Sequence, residues 1–172
     1  MRNLDLKEEI GKISEFIRSE LRKAGFSKII VGLSGGIDSA VTAALSVQAI
    51  GCENVFGVML PYRKSHPDSL SDAIKVAERL NIKYKIVDIS MMIDAYFNQY
   101  EKDADILRRG NRMARERMCV LFDLSAKQKA LVAGTGNRSE LLIGYCTQYG
   151  DSACAFGPTG HSGIPYTESL MI

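Results

Sequence analysis

The chain has 172 residues, 46% of them hydrophobic and 24% charged, with a formal net charge of +2. That length supports one domain with a sizeable core, and a near-balanced charge without long basic runs argues against nucleic acid as a partner. No apolar run approaches the roughly eighteen residues of a membrane span, and a first segment so rich in charge does not read as a signal peptide.

Along the chain, helical and extended patterns alternate. Leu6, Ile10, Ile13, Phe16, Ile17 and Leu21 recur at three and four, so residues 5–23 read as an amphipathic helix closed by Gly25. Residues 28–33 form a short β-branched run, a buried strand, followed by an Ala-rich helix over 38–50. A second strand covers 55–60. A helix capped by Asp68 or Ser69 runs to about Leu80, and a third strand covers 84–89. Residues 91–100 and 104–124 read as helices, 130–133 as a fourth strand, and 139–145 as the start of another helix. This alternation predicts a parallel sheet with helices on both faces. Beyond it, Gly157, Pro158, Gly160, Gly163 and Pro165 break all periodicity, so the tail reads as irregular, with no closing strand. Cys52, Cys119, Cys146 and Cys154 form no C-x-x-C pair, which argues against zinc and fits a reducing cytosol.

The turn “SGGIDS”, residues 34–39, joins the first strand to the next helix. Such turns lie at the carboxyl edge of an α/β sheet, where ligands bind. Gly35 and Gly36 let backbone approach an anion, helix-start amides point toward it, and Ser34 and Ser39 add hydroxyl donors. The turn is a phosphate cradle, but neither a Walker A loop nor a dinucleotide fingerprint. Asp38 beside phosphates implies an intervening cation, for which magnesium is the natural choice. The plainer alternative is that Asp38 only caps the helix. “GTGNRSELLIGYCTQYGD”, residues 134–151, follows the fourth strand and should open on the same edge. Thr135 and Asn137 offer hydrogen bonds there. Glu140 is either a second carboxylate for the same magnesium or part of an ordinary helix cap. In “RRGNRMARERMC”, residues 108–119, most arginines read as solvated, while Arg112, Arg115 and Glu116 share a face at helical spacing.

“SGGIDS” resembles the PP-loop of the N-type ATP pyrophosphatases, and “GNRMARERM”, “GTGNRSELLIGY” and “YGD” are similar to the NAD synthetases within that group. The resemblance covers about residues 5–160 and implies a Rossmann-like adenine-nucleotide-hydrolase fold over 1–157, with a divergent tail over 158–172. It implies ATP-dependent adenylation of deamido-NAD, release of pyrophosphate, and displacement of AMP by ammonia to give NAD. By motif, Gly32, Leu33, Ser34, Gly35, Gly36, Ile37, Asp38, Ser39 and Thr135 would bind ATP. Asp38 and Glu140 would hold magnesium, Arg115 would contact deamido-NAD, and Asp151 with Asp38 would serve catalysis. A cytoplasmic homodimer using free ammonia is implied, since no glutaminase segment precedes the domain.

The tail departs from the family pattern, with Ile164 near the place of an ATP-contacting lysine. The chain is therefore expected to be truncated or altered there, and to bind ATP while making NAD slowly. Two other readings compete. A tRNA-modifying or GMP synthetase-like PP-loop enzyme would call for paired cysteines or a basic surface, and a nucleotide-binding protein without turnover would keep only the loop.

Overall fold

Residues 5–160 are described in the computed structural model of the chain, so Ile164 and the rest of the tail from His161 lie outside the described residues. The first helix, α1, spans Leu6–Ala24. Asp5 caps it by accepting from the Lys7 and Glu8 amides, and Gly25 ends it at φ 72°. Strand β1 (Ile29–Gly32) leads into α2 (Ile37–Ile50), and β2 (Val55–Met59) into α3 (Pro67–Arg79). Strand β3 (Lys83–Ile86) is followed by two helices, α4 (Ser90–Tyr100) and α5 (Ile106–Gln128), before β4 (Leu131–Ala133) and the short α6 (Arg138–Ile143).

All strand pairs are parallel, in the order β3-β2-β1-β4. The expected α/β sandwich is therefore present, with β1 interior. Side-chain alternation divides the core between two faces. Ile29, Val31 and Leu33 face α1, α2 and α3, packing with Ile13, Ile17, Val41, Ala73 and Ala77. Ile30, Val58 and Val132 point the other way, against Ile93 and Phe97 of α4 and Met118 and Leu121 of α5. Each such fully buried aliphatic contributes about 1.5–3 kcal/mol.

Three expectations change. The cap of α3 is His66, whose Nδ1 accepts from the Asp68 amide, with Pro67 in the first turn where its missing N–H costs nothing. Strand β3 stops at Ile86 rather than Ile89, although Val87 and Ile89 still donate to the Met59 and Pro61 carbonyls. The tail is not wholly without sheet character. Ala155 donates to the Val132 carbonyl and Gly134 to the Phe156 carbonyl, making a parallel bridge between Ala133 and Phe156 on the outer side of β4. Thr159, just beyond it, is buried and donates its hydroxyl to the Gly136 carbonyl at 3.0 Å.

Candidate active site

Strand order reverses between β1 and β4, because the chain crosses from β3 at one edge to β4 beside β1. The loops leaving these two strands therefore diverge and leave a crevice, the usual ligand position in an open parallel sheet. A cleft of about 690 Å³ occupies this edge. Its wall includes Gly32 to Ser34 from the first loop, Thr135 from the second, Arg117 from α5, and Asp151.

The first loop is braced from within. Gly36 is the N-cap of α2, with no side-chain cap, so Asp38 is not the capping residue that the plainer sequence reading allowed. Gly35 adopts φ +83°, and a Cβ there would overlap the Ser69 carbonyl of α3; only glycine fits. The Ser34 amide donates to Ser39 Oγ at 3.2 Å, the Gly36 amide to Ser34 Oγ at 3.2 Å, and Ser39 Oγ to the Gly36 carbonyl at 2.8 Å. Ser39 is buried. These hydroxyls brace the turn from within, leaving α2's first-turn amides to meet an anion.

The second loop ends in a complete capping box. Asn137 Oδ1 accepts from the Glu140 amide at 2.9 Å, and the Asn137 amide donates to Glu140 Oε2 at 3.0 Å. Asn137 also reaches across the crevice, donating from Nδ2 to Asp38 Oδ1 at 3.5 Å. The two carboxylates singled out for a cation thus flank one asparagine, one on its side chain and one on its backbone. Among the described residues, no three His, Cys, Asp or Glu side chains form a metal cluster. Magnesium does not need one: one or two carboxylates, phosphate oxygens and water complete its shell, and Asp38 with Glu140 fits that donor set.

Asp151 opens a short 3₁₀ turn, and its Oδ1 accepts from the Thr147 amide at 2.8 Å. Arg115 does not line the cleft; its Nε donates to the Gln148 carbonyl at 3.0 Å, on the segment that carries Asp151. Arg112 pairs with Glu116 at 3.0 Å and lies over the Tyr96 ring. Among the described residues the arginine that lines the cleft is Arg117, which the sequence reading passed over. A signal was present: Ala114, Arg117, Met118 and Leu121 fall on one face at helical spacing, and an arginine on an apolar stripe is unusual. Tyr62 also lines the cleft and donates to Asp94 Oδ1 at 2.9 Å, tying the segment after β2 to α4. Burial first, and then the Asp94 carboxylate, push its phenol above the usual range.

Comparison with known proteins bears on this arrangement. A model of the NAD synthase family matches residues 9–162. The NH(3)-dependent NAD(+) synthetase of Fusobacterium nucleatum is 54% identical over 158 residues, covering 92% of this chain but 61% of the relative, so the chain spans about three fifths of that protein's length. The structure of the NH3-dependent NAD synthetase from Campylobacter jejuni, in complex with the nitrate ion, superposes with a TM-score of 0.90 at 40% identity, covering 97% of this chain and 72% of that one. NMN synthetase from Francisella tularensis superposes with a TM-score of 0.90 at 28% identity, covering 98% of this chain and 70% of that one. With the family match running through both loops, α5 and the segment bearing Asp151, the chain belongs to the NAD synthase family.

Proposed function

We propose that the chain carries the ATP-binding and adenylating part of an ammonia-dependent NAD synthetase, which converts deamido-NAD, ATP and ammonia into NAD, AMP and pyrophosphate through an acyl-adenylate. The observation that carries this reading is the contact from Asn137 to Asp38, which joins the loops after β4 and β1 over one cleft. The loop from Gly32 to Ser39, together with Thr135, takes ATP. The amides at the start of α2 meet its phosphates, at the positive end of the helix dipole. Asp38 and Glu140 would hold magnesium, which would offset phosphate charge and act as a Lewis acid at the phosphate.

Negative charge grows on the α-phosphate as the carboxylate of deamido-NAD attacks. Donors fixed beforehand, as the internal bonds of the Ser34–Ser39 turn fix this loop, stabilise that charge without reorganising. Arg115, with its Nε tied to the Gln148 carbonyl, presents its remaining guanidinium donors to the dinucleotide. Asp151 takes a proton from ammonium, freeing the nitrogen lone pair to attack the adenylate.

The working form is a homodimer in the cytoplasm. Exposed apolar side chains on α4, α5 and α6, including Met91, Ile106, Leu107, Leu142 and Ile143, support an interface, and the four cysteines are free thiols. No helix of the described residues is long and apolar enough to cross a membrane.

The test supplies ATP, magnesium, deamido-NAD and ammonium, and quantifies NAD, AMP and pyrophosphate separately. Equal formation of all three, dependent on ammonium but slower than in a full-length relative, is expected. Pyrophosphate release without dependence on deamido-NAD would refute the assignment of the acyl substrate.

A further inference from the structure

Arg117 stands apart from the other arginines of α5. Arg108 pairs with Glu101, Arg112 pairs with Glu116, Arg109 stacks on Phe97 at 4.4 Å, and Arg115 holds a carbonyl. Among the described residues Arg117 makes one hydrogen bond, from Nε to the Leu60 carbonyl at 3.0 Å, and no carboxylate lies within ion-pair distance of it. Its neighbours on the cleft-facing stripe are Ala114, Met118 and Leu121. Burial alone weakens its hold on the proton, the sign of a charge partly stripped of water and left without a counter-ion. The Nε bond fixes the plane of the fork, and Arg117 lines the same cleft as Ser34 and Thr135. A guanidinium held in this way is prepared for two parallel bonds to an oxyanion.

We infer that Arg117 is an anion-binding residue of this cleft, forming a forked contact with a phosphate group of the bound nucleotide. This rests on the functional reading above for the identity of the nucleotide, but not for the chemistry of the contact. The phosphate comes either from ATP or from deamido-NAD, and separate binding measurements distinguish the two.

The experiment measures dissociation constants for ATP, deamido-NAD, inorganic pyrophosphate and adenosine with wild type, Arg117→Gln and Arg117→Lys, after thermal melts of each. Arg117→Gln is expected to weaken ATP or deamido-NAD, and pyrophosphate, by about 10- to 100-fold, the range for losing a charge-assisted hydrogen bond. Adenosine, which lacks phosphate, should change less than about twofold on the same scale. Arg117→Lys keeps the charge but not the fork, and should recover only part of the loss. A loss in ATP alone or in deamido-NAD alone assigns the source. Equal losses for adenosine and the phosphorylated ligands, or none at all, would overturn the inference and leave Arg117 as a brace for Leu60. If Arg117→Gln does not fold, full phosphate affinity in Arg117→Lys overturns it. Wild type that binds pyrophosphate but not ATP would refute the functional reading while leaving Arg117's role intact.

Discussion

The loops after β1 and β4 face one another across the cleft, yet they are built by opposite means. The β1 loop is braced from within: six consecutive residues supply its glycines, its hydroxyls and the hydrogen bonds among them, while Ser69 of α3 presses against Gly35 and Asn137 reaches Asp38 from outside. The β4 loop depends on residues well downstream. Its capping box is local, but Phe156 bonds Gly134, Thr159 bonds Gly136, and the Cys154 side chain fills the space where a Cβ on Gly134 would stand. A local motif can therefore be rigid before anything else packs, whereas the opposing wall takes shape only with the segment that follows it.

Substitutions can break this contrast. The largest effect is expected at Gly35→Ala, where a strained φ and a backbone overlap combine. About 3 kcal/mol or more of stability should be lost, read by urea unfolding. If the chain relaxes instead, ATP binding should fail while the melt stays near wild type. Gly134→Ala should cost somewhat less, about 1–3 kcal/mol, because the obstacle is a side chain. Pairing it with Cys154→Ala should recover part of the loss in a double-mutant cycle, and strict additivity would mean that the downstream segment does not support this wall.

Asp38→Asn sharpens the comparison on the ligand side. If Asp38 shares a cation with ATP phosphates, affinity for Mg-ATP should fall by at least about tenfold, or roughly 1.4 kcal/mol, while metal-free ATP binds almost as before. Calorimetry showing equal losses would make Asp38 merely structural. Asn137→Ala removes a cap worth about 1 kcal/mol and also the link to Asp38, so both stability and Mg-ATP affinity should drop modestly together. The smallest expected effect concerns Cys154. Burial raises its thiol above the ordinary range, so labelling by a thiolate-selective reagent at neutral pH should lag behind exposed Cys119 and Cys146. Because the neutral form is favoured in the folded state, this contribution is fully present below the unfolded thiol's range and is lost as pH rises through the raised value of the folded state.

What was legible in the sequence follows the same division. Periodicity placed the six α-helices and four strands of the described residues near their observed positions, because each buries one stripe or one alternation of side chains, while the 3₁₀ turn at Asp151 was not foreseen. The Ser34–Ser39 turn was legible because its chemistry is contiguous. The α3 cap was missed because a histidine accepting at Nδ1 is a rare capping residue, while Asp68 beside it looked the better candidate. Arg117 was missed although its place on the apolar stripe of α5 could be read from spacing, because the carbonyl that holds it, Leu60 just after β2, is remote in sequence. Nor could the bridge at Phe156 be anticipated, since glycine and proline around it carry no strand pattern.

The strand order also has a consequence for how the chain folds. Strands β1, β2 and β3 pair with near neighbours in sequence, but Ile29 meets Leu131 only after about a hundred intervening residues have been threaded through four helices and two strands. Closing so long a loop carries the largest entropic cost in the sheet, so this pairing belongs late on the folding route. The cleft proposed to take nucleotide straddles that same seam. A ligand that grips both sides binds only chains that have completed the slow step, and mass action then draws partly folded molecules toward completion. Refolding yield, and not only the melting temperature, should rise when nucleotide is supplied from the start.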